Sequence, residues 1–257
     1  MPCRAVRERV ARSVTVSDPL APLLELPGVR EAVEQARVAV DEVHRHPANR
    51  RGWPTTAAEA TVRAARASAA LDGGAAALPA DGAVTDPVLA GSLRVAQALG
   101  GLLGTWQRAP LQALARLHVL AAADLAAGDG LGRPLSPAQV AARLDTLGRL
   151  LAGGTRVPGP VLVAVVHGEL LALSAFGSAD GVVARAAARL TAISSGLDPK
   201  GLVVPEVAHL RREREYRAAA AGFATGEHAA LAVWIEHCCA ALVAGGREAC
   251  SIADAMS

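Results

Sequence analysis

The chain has 257 residues, enough for one large domain or two small ones. A net charge of +2, with acids and bases interspersed, excludes the basic face that binding a nucleic-acid backbone needs. The four cysteines, Cys3, Cys238, Cys239 and Cys250, are too few and too unevenly placed for a disulfide framework.

Aromatics make up 2% of a chain that is 52% hydrophobic, so Ala, Leu and Val must fill the core. That composition, rich also in Arg, favours helix over sheet. Lys200 is the single lysine. Such an arginine bias is of the kind GC-rich coding produces, and it is no nucleic-acid signal.

Residues 1–20 read as a loose basic arm ending at Asp18-Pro19. It has no apolar core and is not a secretory signal. Residues 21–257 read as one helical domain, without internal repeat or linker. A helix is expected over 28–46, with Val29, Ala32, Val33, Ala36, Val40 and Val43 at helical spacing. Thr56 and Glu59 fit a capping box opening a second helix, which should run to Leu71 and stop at Gly73-Gly74. A third is expected over 87–107 and a fourth over 111–126. Residues 128–134 are a Gly-rich loop.

Ser136-Pro137-Ala138-Gln139 is a strong helix start, with Val140, Leu144, Leu147 and Leu151 as its buried stripe. Residues 160–173 could open as a buried strand, but the apolar run is too long for one and favours a buried helix. Further helices are expected at 181–194, 205–222 and 227–244. The apolar run 161–166 is far shorter than the roughly 20 residues a membrane span needs, so the expected location is the cytosol.

The usual catalytic signals fail. There is no phosphate loop, HExxH or CxxC, and the glycines of 128–132 follow no strand. His237, Cys238 and Cys239 are adjacent on a helix and point different ways, so they read as core rather than metal ligands. His167, alone on a very apolar segment, reads as a hydrogen-bonded core residue.

One stretch stands out: Ser174-Ala175-Phe176-Gly177-Ser178-Ala179-Asp180-Gly181-Val182-Val183-Ala184-Arg185, led by an apolar helix carrying His167 and Glu169. It resembles the signature of the Fic family, H-P-F-x-[DE]-G-N-G-R-x-x-R. Upstream, Ser68-Ala-Ala-Leu71-Asp72-Gly73 resembles that family's inhibitory helix, [ST]-x-x-x-E-[GN], with Asp for Glu. The same residues also read as an ordinary helix with a glycine stop. Leu117-His118 resembles the start of the family core. Tyr216 to Phe223 and the helix of Trp234 resemble its C-terminal helices, so the likeness spans about 55–245.

The resemblance implies an all-α Fido-like bundle in which a helix N-terminus forms an anion site for nucleotide phosphates. The substrate-aligning β-hairpin flap should fall near 128–138, where it is reduced or absent. Phe176, Gly181 and Arg185 match as binding and scaffold positions. Ser174 stands at the catalytic histidine, Ser178 at the acidic metal position, Asp180 at the asparagine and Val182 at the first arginine. Ser174 cannot accept a proton as imidazole does. Ser178 brings no charge for a metal. Asp180 would put negative charge where phosphate should sit.

Several expectations follow from the likeness. Asp72 should pair with Arg185, beside Ser68 and Gly73. The protein should be a catalytically degenerate binding or regulatory protein with a protein partner or a second copy of itself. It should use no metal, no membrane and no cofactor beyond weak nucleotide binding. The alternatives are a divergent nucleotidyl- or phosphotransferase acting on a protein hydroxyl, and a structural helical oligomer.

Overall fold

The computed structural model describes residues 18–80, 82–126, 128–135 and 138–256. The protein is all-α: the described residues form ten α-helices, with a few short 3-10 or π turns, and no strand. They are α1 Val29–Arg45, α2 Trp53–Leu71, α3 Pro87–Arg108, α4 Pro110–Ala122, α5 Ala138–Arg149, α6 Gly159–Leu173, α7 Asp180–Ser194, α8 Pro205–Arg211, α9 Glu213–Phe223 and α10 His228–Ala255.

α6 organises the packing. It is apolar on most of its faces, as a helix packed on most sides must be. Its Val161, Ala164 and Val165 join a core with α1, α9 and α10. Its Val166 and Leu170 join a second core with α3, α4, α5 and α7. α1 lies along α10, placing Val29, Val33, Ala36, Val40 and Val43 out of solvent. α2 packs against α3 and α8, and α7 runs beside α6.

Most expected helices appear within a few residues, but several boundaries differ for physical reasons. α2 opens at Trp53-Pro54, one turn before the expected capping box. Pro54 sits in the first turn, where its missing N–H costs nothing. Thr56 is therefore inside the helix, and Glu59 pairs with Arg63 at 2.8 Å. α4 ends at Ala122 rather than 126. Residues 205–222 form two helices, broken at Arg212 (φ −119°, ψ 40°) with no glycine or proline to mark the break. The two halves meet different neighbours, α2 for α8 and α6 for α9.

The expected helix start at Ser136-Pro137 lies outside the described residues, as do residues 1–17 of the arm, including Cys3. The described end of the arm is not loose. The Asp18 carboxylate accepts hydrogen bonds from Leu20 N at 3.0 Å, Thr155 Oγ1 at 2.8 Å and Arg156 N at 2.6 Å.

α10 runs eleven residues beyond the expected end at 244, because Gly245 and Gly246 mark close approach and not a stop. A Cβ on Gly245 would lie 2.7 Å from Val204 C and Pro205 N, both backbone atoms. Gly245→Ala is therefore expected to destabilise by about 1–3 kcal/mol in urea denaturation, as overpacking does. Gly100→Ala is the control. Its Cβ would meet nothing within 4 Å, and helix propensity alone makes it stabilising by up to about 1 kcal/mol.

By length and composition alone, α3 and α10 are apolar enough to cross a membrane, which a survey of short apolar runs misses. Half of the most apolar stretch of α10 is buried inside the fold, against 28% for α3.

Candidate functional site

The singled-out segment is the turn from α6 to α7. α6 ends at Leu173, and Ser174 takes a left-handed conformation (φ 41°) with its N–H on Leu170 O at 3.2 Å. Ala179, just before α7, is left-handed too (φ 50°). These are the only positive-φ non-glycine residues among those described, and they bracket one six-residue loop. Each such conformation costs of order 1 kcal/mol or more, and such strain concentrates at functional loops.

The ends of α2 and α7 meet beside this loop. Gly73 (φ 83°) ends α2 as a left-handed stop, leaving Asp72 facing the first turn of α7. One Asp72 oxygen, Oδ2, accepts from Val182 N at 3.0 Å, and the other, Oδ1, accepts from Arg185 Nη2 at 2.7 Å. The carboxylate thus lies where a helix N-terminus attracts an anion. Gly181 makes room for it: a Cβ there would sit 2.4 Å from Asp72 Oδ1.

Arg185 is 3% exposed and held by more than the ion pair. Its Nε donates to Ser68 Oγ at 2.8 Å, Nη2 also to Ser68 O at 2.9 Å, and Nη1 to Tyr216 Oη at 3.3 Å. Burial works against its charge, but Tyr216 and Asp72 outweigh it and hold the guanidinium pKa above its ordinary value. So Ser68, Asp72, Gly181, Val182 and Arg185 are brought together. Val182 is buried in the core at 3% exposure and contributes only its N–H.

Asp180 is the first residue of α7. Its side chain turns back into the loop, where Oδ1 accepts from Phe176 N at 2.9 Å. Burial raises its pKa, with the Phe176 and Gly177 N–H groups opposing. A second carboxylate at the start of α7 comes from Asp72, on a distant part of the chain. Ser174 lies apart and exposed, its hydroxyl donating to Leu171 O at 3.1 Å.

His118, on α4, has a role in the loop that its sequence context did not reveal. Its ring stacks on Phe176 with centroids 4.3 Å apart and planes 12° from parallel. Nδ1 accepts from Gly132 N at 2.9 Å, so the ring proton sits on Nε2, which donates to Ser178 Oγ at 3.0 Å. In that tautomer His118 is no base for Ser178. Burial lowers its pKa and favours this neutral form. Residues 128–135 also lie against the loop, with Leu135 N on Ala175 O at 2.7 Å and the Leu135 side chain over Gly177. No hairpin forms there among the described residues.

Behind Arg185 lies a cluster of rings that spacing along the chain could not disclose. Tyr216 Oη accepts from Arg185 and shares a 2.9 Å hydrogen bond with His167 Nε2. His167 is thus a buried, hydrogen-bonded core residue. His209 Nδ1 and His237 Nε2 share a 3.1 Å hydrogen bond, and Trp234 Nε1 donates to Ala164 O at 2.8 Å. Cys238 and Cys239 are buried beside them, and burial pushes the Cys239 thiol up to about 12.

No protein-family model matches the chain, and no curated protein is significantly similar to it in sequence.

Proposed function

We propose that this protein is a catalytically degenerate Fic-like protein, acting as a binding or regulatory protein and not as an enzyme. The supporting observation is the double engagement of Asp72, which caps α7 through Val182 N and neutralises Arg185. In a Fic-like reading, an anion site at the start of α7 is then filled by the protein's own carboxylate. The neighbouring chemistry agrees. Ser174 stands where a proton acceptor would be needed, and Ser178 is engaged by a donating imidazole. What remains is a rigid helical surface for a protein partner or a second copy of the chain, in the cytosol.

Two measurements test this reading. A thermal-shift screen with ATP, ADP, GTP and CDP-choline should leave the wild-type midpoint unchanged. A ligand at a hundred times its dissociation constant would add about 2.7 kcal/mol, which is easily detected. Incubation with labelled ATP and Mg²⁺ or Mn²⁺ should leave the protein and added hydroxyl-bearing proteins unlabelled. Label transfer that disappears in Arg185→Ala would overturn the reading in favour of a nucleotidyltransferase.

A further inference from the structure

Two residues with unpartnered buried polar atoms line one cavity. Between α2, α3, α7 and α8 lies a space of about 30 Å³, lined among others by Ser68, Ser92, Arg185, Arg189 and Glu206. Ser92 and Glu206 are 2% and 4% exposed. Neither Ser92 Oγ nor Glu206 Oε2 has a hydrogen-bond partner among the described residues. A helical serine can back-bond to its own preceding turn; Ser92 does not. Arg189 Nη1 stands 3.6 Å from Glu206 Oε2, too far for a hydrogen bond, and donates instead to Val203 O at 2.9 Å.

We infer that this cavity is a built water site, in which one or two water molecules bridge Ser92 Oγ and Glu206 Oε2 and so tie α3 to α8. The inference goes beyond the Fic-like reading and does not depend on it. Orphaned polar atoms make a dry cavity costly. A cavity of about 30 Å³ admits roughly two waters, each needing about 10–15 Å³. A cation is opposed by Arg185 and Arg189 in the wall, and an anion by the Glu206 carboxyl. Burial raises the pKa of that carboxyl, with Arg189 opposing. Water can donate to the carboxylate and accept from the acid, and it fits the small volume.

The test is a crystal structure at a resolution that shows ordered water, with a bromide soak recorded for anomalous scattering. Water density within hydrogen-bond distance of both Ser92 Oγ and Glu206 Oε2, without a bromide peak, is the expected result. A bromide peak in the cavity would overturn the inference, as would a direct bond between the two side chains across a closed space. In solution, Ser92→Ala and Glu206→Gln form a double-mutant cycle read by urea denaturation. The bridge predicts non-additivity of about twofold or more in the unfolding equilibrium constant. Additive effects would count against it.

Discussion

Asp72→Ala is expected to destabilise the protein by about 3 kcal/mol, the lower end of the cost of breaking a buried ion pair. The substitution leaves the Arg185 guanidinium, 3% exposed, facing only Ser68 and Tyr216 as neutral acceptors. It also orphans Val182 N at the start of α7, a cap worth roughly 1 kcal/mol. The side chain of Asp72 is 23% exposed, so water reaches that end and keeps the cost from the top of the range.

Arg185→Met should cost less, because it removes the charge that burial opposes, while Asp72 keeps Val182 N and some solvent. Arg185→Lys should not rescue the wild-type stability. A single ammonium cannot reproduce a planar fork reaching Ser68, Asp72 and Tyr216 at once. Urea midpoints for the three variants check the order. An Asp72→Ala variant no less stable than Arg185→Met would remove the ion pair from any account of this fold.

Acid is expected to destabilise the protein steeply just below pH 6.5. Burial holds the pKa values of His167 and His209 well below the ordinary histidine value, with nearby Arg185 and the neighbouring histidines acting in the same direction. The unfolded chain takes up protons at these residues as pH falls through about 6.5, whereas the folded protein does not. Their stabilising contribution is therefore complete above pH 6.5 and is lost as pH drops. Each can contribute a slope of up to about 1.4 kcal/mol per pH unit.

His118 and His237 shift in the same direction, also through burial first. Glu206 and Asp180 act with the opposite sign. Their raised pKa values favour the folded state in acid and soften the fall. Urea denaturation from pH 8 to pH 5 should show declining stability, and His209→Phe should flatten the slope. A profile level across pH 6.5 would mean that these imidazoles are not buried as neutral rings.

Much of the helical architecture was legible from residue spacing. The valine stripe of α1, the glycine stop of α2 and the apolar run of α6 follow from periodicity and local backbone chemistry, which act within a few residues. The ends of α2 and α10 were misplaced because the same local signals carry two meanings. A Thr–Glu pair can cap a helix or lie within one, and a Gly-Gly pair can stop a helix or admit a neighbour. Which meaning holds depends on Pro54 in one case and on the Val204 backbone in the other.

Asp72 and Arg185 could be named together from the sequence only through a family likeness. What the sequence determined by itself is an all-α chain whose helices α6 and α7 are joined by a short turn. Tertiary structure alone decided that Asp72 reaches Val182 N at the start of α7, that His118 donates to Ser178, and that Arg185 ends on Ser68, Asp72 and Tyr216. Those choices turn on partners 31 to 117 residues apart, whose meeting depends on helix packing rather than on any local pattern.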